Sequence, residues 1–298
     1  QFDVDRAVSG LQLMLWGFFK KVVIADRLAI YVNAVYNDVG SYSGMPLIIA
    51  TLFFAIQIYC DFSGYSDIAI GTARVMGFDL MENFRQPYFS RSVGEFWRRW
   101  HISLSSWFRD YVYIPLGGNR VSLSRHVVNV LIVFLLSGLW HGAAWTFVIW
   151  GGLHGLMVAV QTLFQRRGWH IFPRGWVGSF IAWLLTMTFV CVTLVFFRAN
   201  SLDDAIYVFT HAAQPYGNDI MAPFSEGLLG AITEFWLSWA LILLLFAVDG
   251  LLAKSSLSLL ISRVKSVPRW ALYYAVAAAV IFSGLYGTGA ATFIYFQF

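Results

Sequence analysis

Long apolar runs separated by short polar stretches dominate the chain. The runs fall at residues 7–25, 46–74, 127–164, about 177–197, 232–252 and 270–288, and a membrane-crossing helix needs ~20 mostly apolar residues. They are continuous, whereas a transmembrane barrel would alternate over ~10-residue segments. The pattern predicts an all-α, polytopic helical transmembrane fold. The 127–164 run begins and ends in basic segments, so it reads as a helical hairpin, and the 46–74 run is one long span interrupted by Cys60-Asp61-Phe62-Ser63-Gly64-Tyr65-Ser66-Asp67. Residues 28–36 are too short to cross and leave the local topology open, and Asn37 to Ser41 reads as a loop. With no internal repeat, the expectation is a single membrane domain over 1–298.

Between the second run and the hairpin the period changes. Ser92-Val93-Gly94-Glu95 has the form of a capping box, serine at the N-cap and glutamate three residues on. Behind it Val93, Phe96, Trp97, Trp100, Leu104, Phe108 and Tyr111 recur at steps of three and four, the spacing of an amphipathic helix. His101 stands four after Trp97 and three before Leu104, on or beside the apolar face. The prediction is a helix over 93–111, lying at the cytoplasmic membrane surface or tucked into the protein and ended by Pro115 and Gly117-Gly118.

Composition sharpens the picture. Only 12% of the 298 residues are charged, against 59% hydrophobic and 18% aromatic, while soluble domains carry about 25% charged residues. The net charge of +4 is unevenly placed. Residues 74–125 hold eight arginines and four acids, Lys254 to Arg269 and Arg166 to Arg174 form two further basic loops, and 199–231 holds four acids with no lysine or arginine. Basic loops stay cytoplasmic, which places the three basic loops inside and 199–231 outside. Nucleic-acid binding would explain the basicity but not the spans and is excluded; the partner of the apolar surface is the lipid bilayer. Lys20-Lys21 is expected to snorkel to an interface. Cys60 and Cys191 lie in apolar segments and give neither a disulfide framework nor metal-ligand spacing. The first residue is Gln and no charged n-region precedes the first run, so the expectation is a chain without a signal peptide that has lost the beginning of a longer protein.

His141, in Leu135-Leu136-Ser137-Gly138-Leu139-Trp140-His141-Gly142-Ala143-Ala144-Trp145, ends an apolar run. An imidazole at membrane depth is costly and normally faces a protein-lined cavity, and histidine titrates close enough to neutrality to move a proton there. Gly138, Gly142 and the alanines beside it let a backbone or substrate approach. His154, thirteen residues on, would point elsewhere on a continuous helix, and the hairpin turn between them leaves its direction open. Asp61 and Asp67 need partners in or near a span: an arginine such as Arg74 or Arg109, a helix end capped by Asp67, or a polar cavity that they line. The arginines of 93–111 suit anionic lipid or a clamp on the phosphates of a donor. No two histidines lie three or four apart, which leaves a metal site unsupported, and there is no Walker A or G-x-G-x-x-G motif.

At these residues the chain resembles the membrane-bound O-acyltransferase family, in the bacterial branch that holds the membrane subunit of alginate O-acetylation. The motifs are Tyr59 to Asp67, Asn83-Phe84-Arg85-Gln86-Pro87-Tyr88, Phe96-Trp97-Arg98-Arg99-Trp100-His101-Ile102-Ser103-Leu104, Arg109 to Asn119, Gly138-Leu139-Trp140-His141-Gly142-Ala143 and the terminal Phe293 to Phe298. The family has a membrane-embedded histidine, which corresponds to His141, and an upstream His or Asn, which corresponds to His101. The resemblance implies a tunnel between a cytoplasmic donor, acetyl-CoA or an acyl carrier, and an acceptor on the far side, a polysaccharide or a periplasmic acetyltransferase partner. It implies a multi-pass protein of the bacterial inner membrane with no bound cofactor. His141 and His101 are then the catalytic candidates, and Asp61, Trp100, Arg109 and Trp140, all within these motifs, are the substrate-binding candidates. Transfer of D-alanine to teichoic acid is the alternative within the family, and a non-catalytic donor transporter or scaffold is the rival of another class.

Overall fold

The computed structural model describes residues 3–169, 172, 173, 175–214, 219–225 and 229–285. Among these, six helical stretches are long and apolar enough to cross a bilayer. The chain divides into two compact units, residues 1–82 with 211–298, and residues 83–210.

In the first unit α1 (Val4–Phe18) and α2 (Asp26–Tyr36) run on from one another through a π-helical turn at Phe19–Ala25. The open topology of 28–36 therefore resolves as the end of one 33-residue helical stretch, Val4–Tyr36. It lies antiparallel to α3 (Met45–Val75) on a seam of glycines spaced seven apart. A Cβ on Gly10 would stand 2.6 Å from the Gly71 carbonyl oxygen, and one on Gly64 would stand 2.7 Å from that of Gly17. Only glycine permits backbones so close.

The seam brings buried charges together. Lys20 is 3% exposed, donates to Ser63 Oγ at 2.8 Å and pairs with Asp67 at 2.8 Å. Lys21 pairs with Asp26 at 2.7 Å and with Asp61 at 2.5 Å. This corrects two expectations. The lysines do not snorkel outward, and Asp61 and Asp67 find lysine partners in place of Arg74 or Arg109. Burial leaves a lysine amine no water, and carboxylates from the facing helix replace it.

A second buried pair joins α2 to the helix Ala231–Leu252. Arg27 Nε donates to Glu234 Oε2 at 2.6 Å, with both side chains at 1% exposure or less. A further guanidinium nitrogen reaches the Ser283 carbonyl at 3.2 Å, in the helix Ser266–Ser283. Removing one partner strands a buried charge, and Glu234→Ala should cost about 3–5 kcal/mol. Thermal unfolding in detergent should show a large loss for this variant and a smaller one for the double replacement Arg27→Met with Glu234→Leu. The helix Ser266–Ser283 covers the first part of the 270–288 run but is not among the six stretches that meet the length and hydropathy of a span among the described residues, while residues 286–288 and the Phe293 to Phe298 motif lie outside the described residues.

In the second unit the expected hairpin is present as α6 (Leu123–His141) and α7 (Trp145–Arg166). A Cβ on Gly138 or Gly151 would collide with the carbonyl oxygen of Phe147 or Phe134, which is why small residues line this contact. Helix α8 (Trp176–Arg198) packs against α7 through the His154–Phe189 and Trp150–Phe197 rings.

The helix expected over 93–111 is broken. Its start is as predicted, with Ser92 Oγ accepting from the Glu95 amide at 3.1 Å. The Glu95 carboxylate accepts from the Arg91 amide, one residue before the cap. But α4 (Val93–Arg99) ends at Trp100, and α5 (Ile102–Phe108) begins after His101, which takes a left-handed conformation (φ +44°, ψ +54°). Asn83 holds the break: its carbonyl accepts from the Ile102 amide at 3.0 Å, and its side-chain oxygen accepts from the Ser103 amide and hydroxyl. These bonds satisfy amides that a continuous helix would have used, so the apolar period survives while the helix does not.

Candidate active site

The loop end of the α6–α7 hairpin gathers the chemistry. His141 is the last residue of α6, and its half-buried ring packs edge-on against Trp150 (5.2 Å between centroids) and Phe197 (5.1 Å) and lies 4.9 Å from Trp140. His101 approaches from the break between α4 and α5, with its ring 6.2 Å from that same Trp140 indole. Trp140 thus touches both imidazoles while remaining 52% exposed.

His101 is itself only 7% exposed. Burial pulls its imidazolium down to about 3, and the charge of a protonated His141 pushes the same way. At neutral pH His101 is therefore an uncharged ring, able to donate one hydrogen bond and accept another. Desolvation disfavours the charged form because the surrounding aromatics cannot replace water.

His154 does not point away from this cluster as a continuous helix would require. Reversal of the chain at Gly142–Ala144 places Trp150 against both His141 and His154. Its hydrogen bonds fix its state. Trp97 Nε1 donates to Nδ1 at 3.1 Å, and Thr193, whose hydroxyl is spent on the Val190 carbonyl, faces Nε2 at 3.0 Å. The Nδ1 lone pair must be free to accept, so the proton sits on Nε2 and the ring is neutral. Both nitrogens are occupied, which makes His154 a brace between α4, α7 and α8.

The other candidates fall in different places. Trp100 is 7% exposed and caged by Phe84, Tyr88 and Phe96, with centroids 5.1–6.4 Å apart within the cage. Arg109 is exposed and engaged by Asp110 through two contacts of 2.7 and 3.1 Å. Asp61 belongs to the first unit, in the ion pair with Lys21.

A cavity of about 260 Å³ runs along α6. Its walls are mostly apolar, among them Trp97, Phe108, Val133 and Phe134, and its ends are polar. One end carries Arg109, Tyr113 and His126, and the other reaches Ser137, one helical turn before His141. At 1.5 Å rise per residue, His126 and Ser137 lie about 16 Å apart along the helix. Sequence reasoning missed Tyr113, His126 and Arg166 at the polar end. They are 13 and 40 residues apart and carry no spacing signal.

Fold and site together define a multi-pass helical membrane protein that brings two histidines to the loop end of a membrane hairpin. The chain belongs to the membrane-bound O-acyltransferase family, MBOAT, whose profile matches residues 7–199. It is 45% identical over 202 residues, 68% of this chain, to the probable alginate O-acetylase AlgI of Pseudomonas aeruginosa, covering 38% of that protein. It is 42% identical over 201 residues, 67% of the chain, to the peptidoglycan O-acetyltransferase of Helicobacter pylori, covering 37% of it. A teichoic acid D-alanyltransferase of Bacillus subtilis matches at 27% identity over 207 residues, 66% of the chain and 52% of that protein. The chain thus spans about two fifths of the length of the acetylase relatives it matches.

Proposed function

We propose that this chain carries the histidine centre of an O-acetyltransferase that moves an acetyl group from a cytoplasmic donor, acetyl-CoA, to a hydroxyl on the far side of the bacterial inner membrane. The acceptor is a polysaccharide or a serine of a periplasmic partner. The observation that carries this reading is the meeting of His141 and the neutral His101 on Trp140, with a mostly apolar cavity reaching to within one turn. His141 takes the acceptor's hydroxyl proton as its oxygen adds to the thioester carbonyl carbon. The tetrahedral intermediate collapses with cleavage of the C–S bond, and the proton passes from His141 to the departing thiolate. His101, uncharged, donates a hydrogen bond to the oxygen on which negative charge develops. The apolar cavity keeps water from the thioester. Arg120, Arg125, Arg166 and Arg167 flank the cavity's polar end in sequence and supply positive charge for a phosphate-bearing head.

Radiolabelled acetyl-CoA supplied to the cytoplasmic face of vesicles holding the full-length protein tests the reading. Label should appear as an ester on the far-side acceptor. Label that crosses without ester formation would favour a transporter, and label transferred only from a D-alanyl thioester would favour the teichoic-acid reading. The D-alanyltransferase relative stands at 27% identity, against 42–45% for the O-acetylases, which favours acetyl.

The same orientation predicts a topology. Cysteines introduced at 119–125 and 258–266 should react with an impermeant thiol reagent only from the cytoplasmic side, and those at 214–220 only from outside. The reverse labelling would overturn the charge-based orientation.

A further inference from the structure

We infer that Tyr113 positions the acyl donor: its hydroxyl donates a hydrogen bond to a carbonyl oxygen of the donor's arm in the α6 cavity, and Arg166 and His126 hold it in that orientation. The inference rests on the acetyl-transfer reading above and assigns the cavity's polar end.

Hydrogen-bond donors run along a chain of three residues, Arg166, His126 and Tyr113. Arg166 Nη2 lies 3.2 Å from His126 Nδ1 and 3.2 Å from the Asn119 carbonyl oxygen. A guanidinium can only donate, so Nδ1 must present its lone pair. The neutral ring then carries its proton on Nε2, which lies 2.8 Å from the Tyr113 hydroxyl oxygen. That oxygen accepts, and the phenolic hydrogen is turned away from His126. Among the described residues no acceptor stands within hydrogen-bond distance of that hydrogen.

Tyr113 is half-buried on the wall of the cavity, so a guest can reach the hydroxyl. Its ring is fixed in place. The segment that follows is pinned by Asn129, fully buried, whose side-chain amide donates to the Leu116 carbonyl at 3.0 Å and to that of Gly118 at 3.2 Å. A donor aimed by a relay and held on a rigid support suits recognition of a defined oxygen atom. The volume, about 260 Å³, is below the ~300–1,000 Å³ of pockets for drug-sized ligands. It fits an unbranched arm bearing amide or thioester carbonyls, with its reactive end toward Ser137 and His141.

The test uses full-length protein in nanodiscs with acetyl-CoA as the probe. In a His141→Ala background, which binds without turnover, adding Tyr113→Phe should weaken acetyl-CoA binding about 10-fold. In the active background it should raise the donor KM by a similar factor while kcat changes less than about twofold and the acceptor KM is unmoved. His126→Phe should reproduce the effect, and the Tyr113→Phe, His126→Phe double variant should be no worse than either single one, because both act through the one aimed hydroxyl of Tyr113. His126→Gln can accept from Arg166 and donate to Tyr113, and it should recover binding to within about threefold. Unchanged acetyl-CoA affinity in Tyr113→Phe, or additive losses in the double variant, would overturn the inference and leave the acetyl-transfer reading intact. If Tyr113→Phe fails to insert, equal affinity in His126→Phe and His126→Gln overturns it instead. A His141→Ala parent that binds no acetyl-CoA would remove the donor assignment together with the role of Tyr113.

Discussion

Replacing His141 by alanine in the full-length protein should lower acetyl transfer by about 10²–10⁴-fold, the contribution of a well-placed general base, with insertion and abundance unchanged. The variant should fold because the close contacts that hold the hairpin together come from Gly138, Gly151 and Gly155 and not from the imidazole. His141 ends α6, and three aromatic rings that also contact one another or their neighbours remain around the space it leaves. His141→Gln keeps a polar group of similar reach but cannot take a proton at neutral pH, so it should be nearly as inactive. Ester formation on the acceptor at matched protein levels is the measurement. A glutamine variant with most of the parent rate would remove proton transfer from His141 and leave it a polar wall of the site.

Much of this architecture could be read from local pattern. The spans near 46–74, 177–197 and 232–252 follow from continuous apolar runs, the hairpin from the basic segments at both ends of 127–164, and the start of α4 from Ser92 and Glu95. Each of these depends on residues close together in the chain. What was hidden depends on residues far apart. Lys20 and Lys21 read as interfacial because their carboxylate partners, Asp67 and Asp61, lie on the facing helix some 40 residues on. The break at His101 was invisible because the apolar spacing runs straight through it, and the hydrogen bonds that make it come from Asn83. The direction of His154 stayed open because the turn at Gly142, which sets the face it shares with His141, lies between the two residues. The glycine spacing of seven in both α1 and α3 was a legible sign of close helix contact, and it marks where the lysines are enclosed.

The conformation of His101 sets the terms of the second large effect. At φ +44° a non-glycine residue is strained, and Asn is among the residues that tolerate this region best. His101→Asn should therefore keep both the backbone and a hydrogen-bond donor, and it should retain measurable transfer. His101→Ala loses the donor and also puts a residue less suited to the left-handed region in place of histidine, so its inactivity alone would not say which loss mattered. Glycine separates them, since it accepts the left-handed conformation freely and offers no side chain. If the neutral ring serves as a donor toward the developing oxyanion, His101→Gly should fold as well as His101→Asn yet fall about 10²–10³-fold in kcat. The rate of the Asn variant should then follow the same pH profile as the parent between pH 6 and 9, because the buried ring, held near 3, does not titrate in that range. Equal rates for the Asn and Gly variants would show that His101 is there for the turn it makes. Equal inactivity of the two, with both folded, would make it a second proton carrier beside His141.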